Sequence, residues 1–334
     1  MGLQIGDIVP RKGINLEDLK GKTLAVDTFN TIYQFLSTIR QPDGTPLMDK
    51  KKRVTSHLSG LFYRNINLLK QGLKLIYVFD GKTPRLKAGT HEKRQEGKDK
   101  AFQKYEKARK KEDIKEMGKY ARQLATIDKE KIEESKQLLE AMGIAVVQAP
   151  GEGEAQASLL ANNKDVYAVG SQDYDSLLFG APLLVQNLTL ARKRRTATGY
   201  VSIGPELIEL RKVLNGLQIN LDQLICLGIL CGTDYNPGGI KGIGPKKALE
   251  IVKRRKAPAL IFKEVEDKLE FNWQEVFQLF KKPDVKPVKI KFPKINEDKI
   301  RKILLEHDFS ENRIESALEK LNKAKEDSKQ QTLF

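Results

Sequence analysis

Through the first two thirds of the chain, short and almost wholly apolar runs alternate with stretches whose apolar residues recur every three or four positions. The short runs are TLAVD (23–27), KLIYVFD (74–80), DVYAVG (165–170) and PLLVQNL (182–188). They are rich in β-branched or aromatic residues and bounded by Gly, Pro, Asn or Asp, which predicts strands. The intervening segments around 31–40, 55–71, 130–142 and 153–162 predict helices. Such alternation predicts an α/β fold with a mostly parallel central sheet and helices on both faces. From about residue 205 the strand signal stops, and ELIELRKVLNGL, LDQLICLGILCG and KKALEIVKRR predict helices. The Lys- and Pro-rich stretch 281–296 predicts a connector, 297–325 a last helix, and the terminal EDSKQQTLF a polar end that is disordered alone.

Between Gly81 and Lys131 the pattern changes to a Lys/Arg/Glu-rich excursion with few apolar residues. Its composition predicts solvated helix. Gly89, Gly97 and Gly118 each cost about 1 kcal/mol relative to alanine inside a helix, so the insert is expected to order fully on a partner.

The charge balance narrows the partner. With 60 Lys+Arg against 44 Asp+Glu, the net charge of +16 implies a polyanion, either nucleic acid or an anionic membrane surface. No run approaches the roughly 20 apolar residues of a spanning helix, and the amino terminus lacks a signal-peptide pattern, so a soluble cytoplasmic protein is expected. The two cysteines, Cys226 and Cys231, fall in an apolar run and read as core. His57, His91 and His307 are scattered singly, which argues against zinc and against a His-dependent nucleophile.

Carboxylates remain as the candidate chemistry. In a parallel sheet, ligands gather beyond the carboxyl ends of the strands. Asp27 ends one predicted strand, Asp80 ends the next, and Asp173 and Asp175 follow a third. Glu152 and Glu154 stand where a helix should begin, and Asp234 follows the apolar run of 224–232. Singly, each reads best as a cap or half of a salt bridge. Together they would repel one another unless cations sit among them, and oxygen-only donors favour Mg2+ or Mn2+. Two such ions about 4 Å apart suit phosphodiester hydrolysis. The run GGIKGIGPKKA (238–248) adds a Gly242-Ile243-Gly244 turn, Pro245, and Lys246 and Lys247 opening a helix, which together form an anion site. It lacks the spacing of a nucleotide-binding P-loop.

With IYQFLSTIRQPDGTPLMD, TSHLSGLFYR, YVFDGKTP, APGEGEAQA, SQDYDSLLFG, GTDYNPGGIKGIGPKKALEIV and EHDFSENRI in this order, the chain resembles the archaeal-type flap structure-specific endonucleases of the XPG-like family over nearly its whole length. The resemblance implies a PIN-like 5′-nuclease core, a helical arch insert and a helix–three-turn–helix DNA-binding element. It implies an amino-terminal nuclease region at 1–98 with the arch at about 82–131, and an internal nuclease region at 116–256 with the helix–three-turn–helix at about 225–256. A C-terminal helical region at 257–322 packs on the core, and 323–334 forms a flexible tail.

Carried over position by position, Asp27, Asp80, Glu152 and Glu154 resemble ligands of one metal and Asp173, Asp175 and Asp234 those of a second, with Mg2+ as the cofactor, Mn2+ as a substitute and K+ at the glycine hairpin. Lys87 and Arg94 resemble two basic catalytic residues of the arch, seven residues apart and thus on one helix face. Tyr33 matches an aromatic that stacks on a base. Arg40 and Arg64 match DNA contacts, Thr55 and Phe309 a pocket for a one-nucleotide 3′ flap. Gly232, Glu152, Asp234, Gly242, Ile243, Gly244, Lys246 and Lys247 complete the implied DNA surface, and Gly2 would lie near the active site after loss of Met1. Gln330, Leu333 and Phe334 supply the first half of a sliding-clamp motif that lacks its aromatic pair. Gly151 stands where many relatives carry serine, a change expected to matter little.

The implied function is 5′-flap cleavage at the single-strand/duplex junction, with associated 5′→3′ exonuclease activity, in Okazaki fragment maturation and base excision repair. A monomer acting near the nucleoid, with branched DNA and a sliding clamp as partners, is expected. An exonuclease or junction resolvase of the same superfamily, and a non-catalytic DNA-binding protein, are the competing readings.

Overall fold

The structure, a computed structural model, describes residues 3–41, 43–82, 85–188, 193–196 and 199–330, with side chains except at 85, 88–94, 193–196, 200–202 and 324–330. Gly2, Leu333 and Phe334 lie outside the described residues, as do the side chains of Arg94 and Gln330.

The strands are β1 (Lys12–Gly13), β2 (Thr23–Asp27), β3 (Lys74–Phe79), β4 (Ala145–Gln148), β5 (Ala168–Gly170), β6 (Leu183–Gln186), β7 (Lys193–Thr196), β8 (Gly199–Ser202) and β9 (Glu206–Glu209). Among the described residues, seven of them form one sheet in the order β1-β9-β6-β5-β2-β3-β4. From β6 to β4 the pairing is parallel, while β9 and β1 close the edge antiparallel. The chain leaves β2 toward β3 and β4, then returns to the other side of β2 with β5 and β6. The carboxyl end of β2 is therefore the point where the winding reverses, and a crevice opens there.

The helices are α1 (Thr28–Thr38), α2 (Ser56–Lys70), α3 (Ala88–Lys110), α4 (Ile114–Ala121), α5 (Lys129–Ala141), α6 (Gly153–Asn162), α7 (Asp175–Leu178), α8 (Leu210–Leu217), α9 (Leu221–Cys231), α10 (Pro245–Arg255), α11 (Pro258–Lys263), α12 (Trp273–Lys281), α13 (Glu297–Glu306) and α14 (Glu311–Gln330). Strand alternation sends neighbouring side chains to opposite faces. Leu24, Val26, Leu75, Tyr77 and Phe79 join a core with residues of α1, α2, α5, α13 and α14. Ala25, Ile76 and Val78 join the other, with α6 and α8–α12.

The expected strands are present, several shorter than their apolar runs. ELIE, expected as helix, is instead strand β9, because its register against β6 buries Ile208 and covers a sheet edge. The helix expected over 297–325 breaks at 307–310, where Asp308 has a φ of 58°, and the backbone of α14 then stays helical through Gln330. Lys193, Arg194 and Arg195 form strand β7 with Thr196, and β7 pairs antiparallel with β8. Gly118 has a packing reason: α4 approaches Gly44 so closely that a Cβ on Gly44 would overlap the Gly118 backbone. Gly151 is also constrained, since a Cβ there would lie 3.1 Å from the Asp284 carbonyl of the connector. Among the described residues, no single helix is long and apolar enough to cross a membrane.

Candidate active site

Asp27 is the last residue of β2 and the N-cap of α1, its Oδ1 accepting the Asn30 backbone N–H at 3.2 Å. It thus fills the cap role and points into the crevice at once. Asp80 follows β3 and its Oδ1 accepts the Gly153 N–H at 2.7 Å, which docks the start of α6 against β3. That docking sets Glu152 at the N-cap and Glu154 in the first turn of α6, where the positive end of the helix faces the carboxylates. After β5, an irregular bend carries Asp173, and Asp175 opens α7 with its Oδ1 accepting the Leu3 N–H at 3.3 Å. Asp234 follows α9, beyond Gly232, whose φ of 104° turns the chain.

These acids form one electrostatic cluster. Burial, with Asp80 beside it, pushes Asp27 up to about 8, and burial with Asp173 and Asp234 does the same to Asp175. Glu154 is held well above its usual range by burial and by Asp27, Asp175 and Asp173, and burial also raises Asp80 and Glu152. Lys87 is the cation among them. Its Nζ donates to Glu152, stands 3.8 Å from Asp234 Oδ2, and lies 5.5 Å from the centre of the Tyr235 ring. Burial works against its charge, but Glu152, Asp234 and Asp80 prevail and raise its pKa.

Among the described residues, the Lys87 ammonium does not balance so many buried carboxyl groups. The donor set is oxygen-only, and the raised values mark a site short of positive charge, so divalent hard cations fit it. Among the described residues, no three carboxyl groups surround one point as a closed cage, with Lys87 standing between Glu152 and Asp234.

Lys87 ends a short 3-10 turn and is the N-cap of α3, so the helix backbone places position 94 about two turns further along α3. Tyr33 is 43% exposed on α1, which frees its ring for stacking rather than core packing. Arg40 is half-buried and donates to the Leu36 and Gly44 carbonyls, bracing the 41–45 turn. Arg64 packs its guanidinium 5.7 Å from the Phe35 ring centre. Thr55 is buried and Phe309 half-buried, and their segments meet through Lys50 N–H to Asp308 and Arg53 to the Glu306 carbonyl.

The hairpin is built as its sequence demands. Gly242 has a φ of 80°, Ile243 turns into the core, and Gly244 caps α10 with Pro245 at its first turn. Lys246 and Lys247 are exposed beside the helix N-terminus. Sequence reasoning missed Tyr235 under Lys87, Asn30, whose amide donates to Asp173 at 2.8 Å, and Ser171 and Ser176, whose hydroxyls reach Glu154 Oε1 at 2.7 and 3.2 Å. Adjacency to Asp234 and Asp27 was the available signal for Tyr235 and Asn30.

Comparison with known proteins agrees with this architecture. Residues 4–101 match the XPG N-terminal domain and 143–234 the XPG I-region. The chain is 53% identical over its full length to flap endonuclease 1 of Pyrococcus abyssi, covering 97% of that protein. It is 47% identical to flap endonuclease 1 of Sulfolobus acidocaldarius, over 98% of this chain and 97% of that one. The flap endonuclease-1 structure from Methanococcus jannaschii superposes with a TM-score of 0.77 at 43% identity, over 97% of this chain and 98% of that one. The catalytic core of Rad2 in complex with DNA substrate shares the fold, with a TM-score of 0.70 at 22% identity over 96% of this chain and all of that one.

Proposed function

This chain belongs to the flap endonucleases of the XPG family, and on that premise we propose that it cuts 5′ flaps at their junction with duplex by two-metal phosphodiester hydrolysis. The observation that carries the reading is the convergence of Asp27, Asp80, Glu152, Glu154, Asp173, Asp175 and Asp234 at the switch point of the sheet, with Lys87 beside Glu152, Asp234 and Asp80, and with Asp234 on the α9–α10 unit that carries the glycine hairpin.

In this reading Asp27, Asp80, Glu152 and Glu154 hold one Mg2+ and Asp173, Asp175 and Asp234 the other, with Mn2+ able to substitute. When bound, two such ions would supply the Lewis acidity for attack of water on phosphorus. Lys87 balances the remaining carboxylate charge and offers its ammonium to a scissile-phosphate oxygen as that oxygen gains charge, with Arg94 as its arch partner. The Tyr235 ring face holds the Lys87 ammonium in place. Tyr33 stacks on the base beside the cut. Backbone N–H groups at Gly242–Gly244 and the start of α10, with Lys246 and Lys247, hold the duplex backbone, and the hairpin carbonyls suit a K+ ion. Thr55 and Phe309 line the 3′-flap pocket, Arg40 and Arg64 support the DNA surface around it, and Gln330, Leu333 and Phe334 contact a sliding clamp. The protein acts as a monomer near the nucleoid in lagging-strand maturation and excision repair.

End-labelled double-flap, blunt-duplex and four-way-junction DNA incubated in Mg2+ and in EDTA tests this. One dominant cut near the flap base, only in Mg2+, is expected. A ladder from the blunt 5′ end as the main product would make the enzyme an exonuclease, and binding without cleavage would remove the enzymatic reading.

A further inference from the structure

We propose that Asn30 is a positioning residue that sets Asp173 against Asp27 and thereby fixes the distance between the two halves of the carboxylate cluster. The inference rests on the two-ion reading above and names a residue that holds the second ion's site in register with the first.

Asp27 is placed by the end of β2 and the start of α1, both regular elements. Asp173 has no such support, since it sits in the irregular bend between β5 and α7. Ser171 and Asn30 brace it. The Ser171 hydroxyl accepts the Asp173 N–H at 3.2 Å, and Asn30 Nδ2 donates to Asp173 Oδ2 at 2.8 Å. The same Asn30 donates its backbone N–H to Asp27 Oδ1. One residue therefore joins an acid from each half of the cluster, and Ser171 closes the ring by reaching Glu154 Oε1 at 2.7 Å and Asp27 Oδ2 at 3.4 Å.

The helix-capping role does not explain the asparagine side chain. Capping uses the backbone N–H at position 30, which nearly any residue supplies, while the amide points across to the bend after β5. An amide at 2.8 Å fixes one oxygen of Asp173 and so aims the carboxyl plane. Carboxylates that hold metals depend on such partners, whose loss typically weakens the metal by about 10–100-fold.

The test uses Asn30→Ala and Asn30→Leu, the second retaining side-chain volume without the donor. The full-length, DNA-free protein is titrated with Mn2+ alone, free Mn2+ being read by electron paramagnetic resonance. Flap affinity is measured in EDTA, and kcat and KM across Mg2+ concentrations. Two ions per wild-type chain are expected, with the weaker ion lost roughly tenfold or more in both variants. Flap affinity and KM should stay unchanged, and the deficit in kcat should close at saturating Mg2+. Wild-type Mn2+ affinity and Mg2+ dependence in either variant would overturn the role of Asn30 while leaving two ions in place, as would an equal weakening of both ions. A single Mn2+ on the wild-type protein would instead remove the two-ion reading, and this inference with it.

Discussion

At the scale of single residues, the buried carboxyl groups make the protein's stability depend on pH in an unusual direction. Asp27 and Asp175 are held at about 8 by burial and like charge, against a usual 3.8. Between those values the folded metal-free chain binds more protons than the unfolded one, so the stability these groups contribute is present at low pH and lost as pH rises toward about 8. Thermal melts in EDTA should accordingly show Asp175→Asn reducing the loss of stability between pH 5 and 8. Added Mg2+ should restore the wild type most at pH 8, because metals compete with protons for the same oxygens. A pH profile identical in wild type and variant would place the burden elsewhere. Asp175→Ala is expected to lower kcat by at least about a thousandfold while flap affinity changes less than about threefold, as for groups acting mainly in the transition state. These acids were legible in the sequence from strand ends. Their braces, Asn30 and Ser171, were not, since each reads as an ordinary polar residue until its partner arrives from another part of the chain.

At the scale of elements, the α9–α10 unit carries both Asp234 and the glycine hairpin within a short stretch of chain. Asn236 ties it together, accepting from the Thr233 N–H and hydroxyl and donating to the Ile229 carbonyl, with Asp234 held in between. Gly232 and Gly239 meet back to back. Gly239 has a φ of 56°, and a Cβ there would overlap the Cys231 carbonyl carbon and the Leu230 oxygen, both backbone. Gly239→Ala should cost roughly 2–3 kcal/mol in chemical denaturation and weaken duplex binding with it. A loss below about 0.5 kcal/mol would mean that the hairpin adapts. The glycine and proline spelling announced the hairpin, whereas β9 was misread because ELIE suits either period over so short a run.

At the scale of the whole molecule, a chain of net charge +16 surrounds an acidic centre, and the two signs have separate tasks. If lysines hold backbone phosphates while the carboxylates hold cations of their own, affinity and catalysis should respond differently to salt. If about six phosphates are neutralised, the logarithm of flap affinity should fall with the logarithm of salt concentration at a slope of about −5 in EDTA. A slope near zero would show that the basic surface does not carry binding. The sequence by itself determined the alternation of strands and helices, the acids at strand ends and the glycine turn, because these follow from local periodicity and backbone freedom. Only the tertiary structure decided which groups share a space. It brought His57 and His307, 250 positions apart, onto the two oxygens of Glu134, and it set Lys87 among the acids. It also returned β5 to the open side of β2, so that Asp173 faces Asp27 and both Asp173 and Asp175 face Glu154. Those pairings depend on sheet order and packing across the chain, which no local pattern encodes.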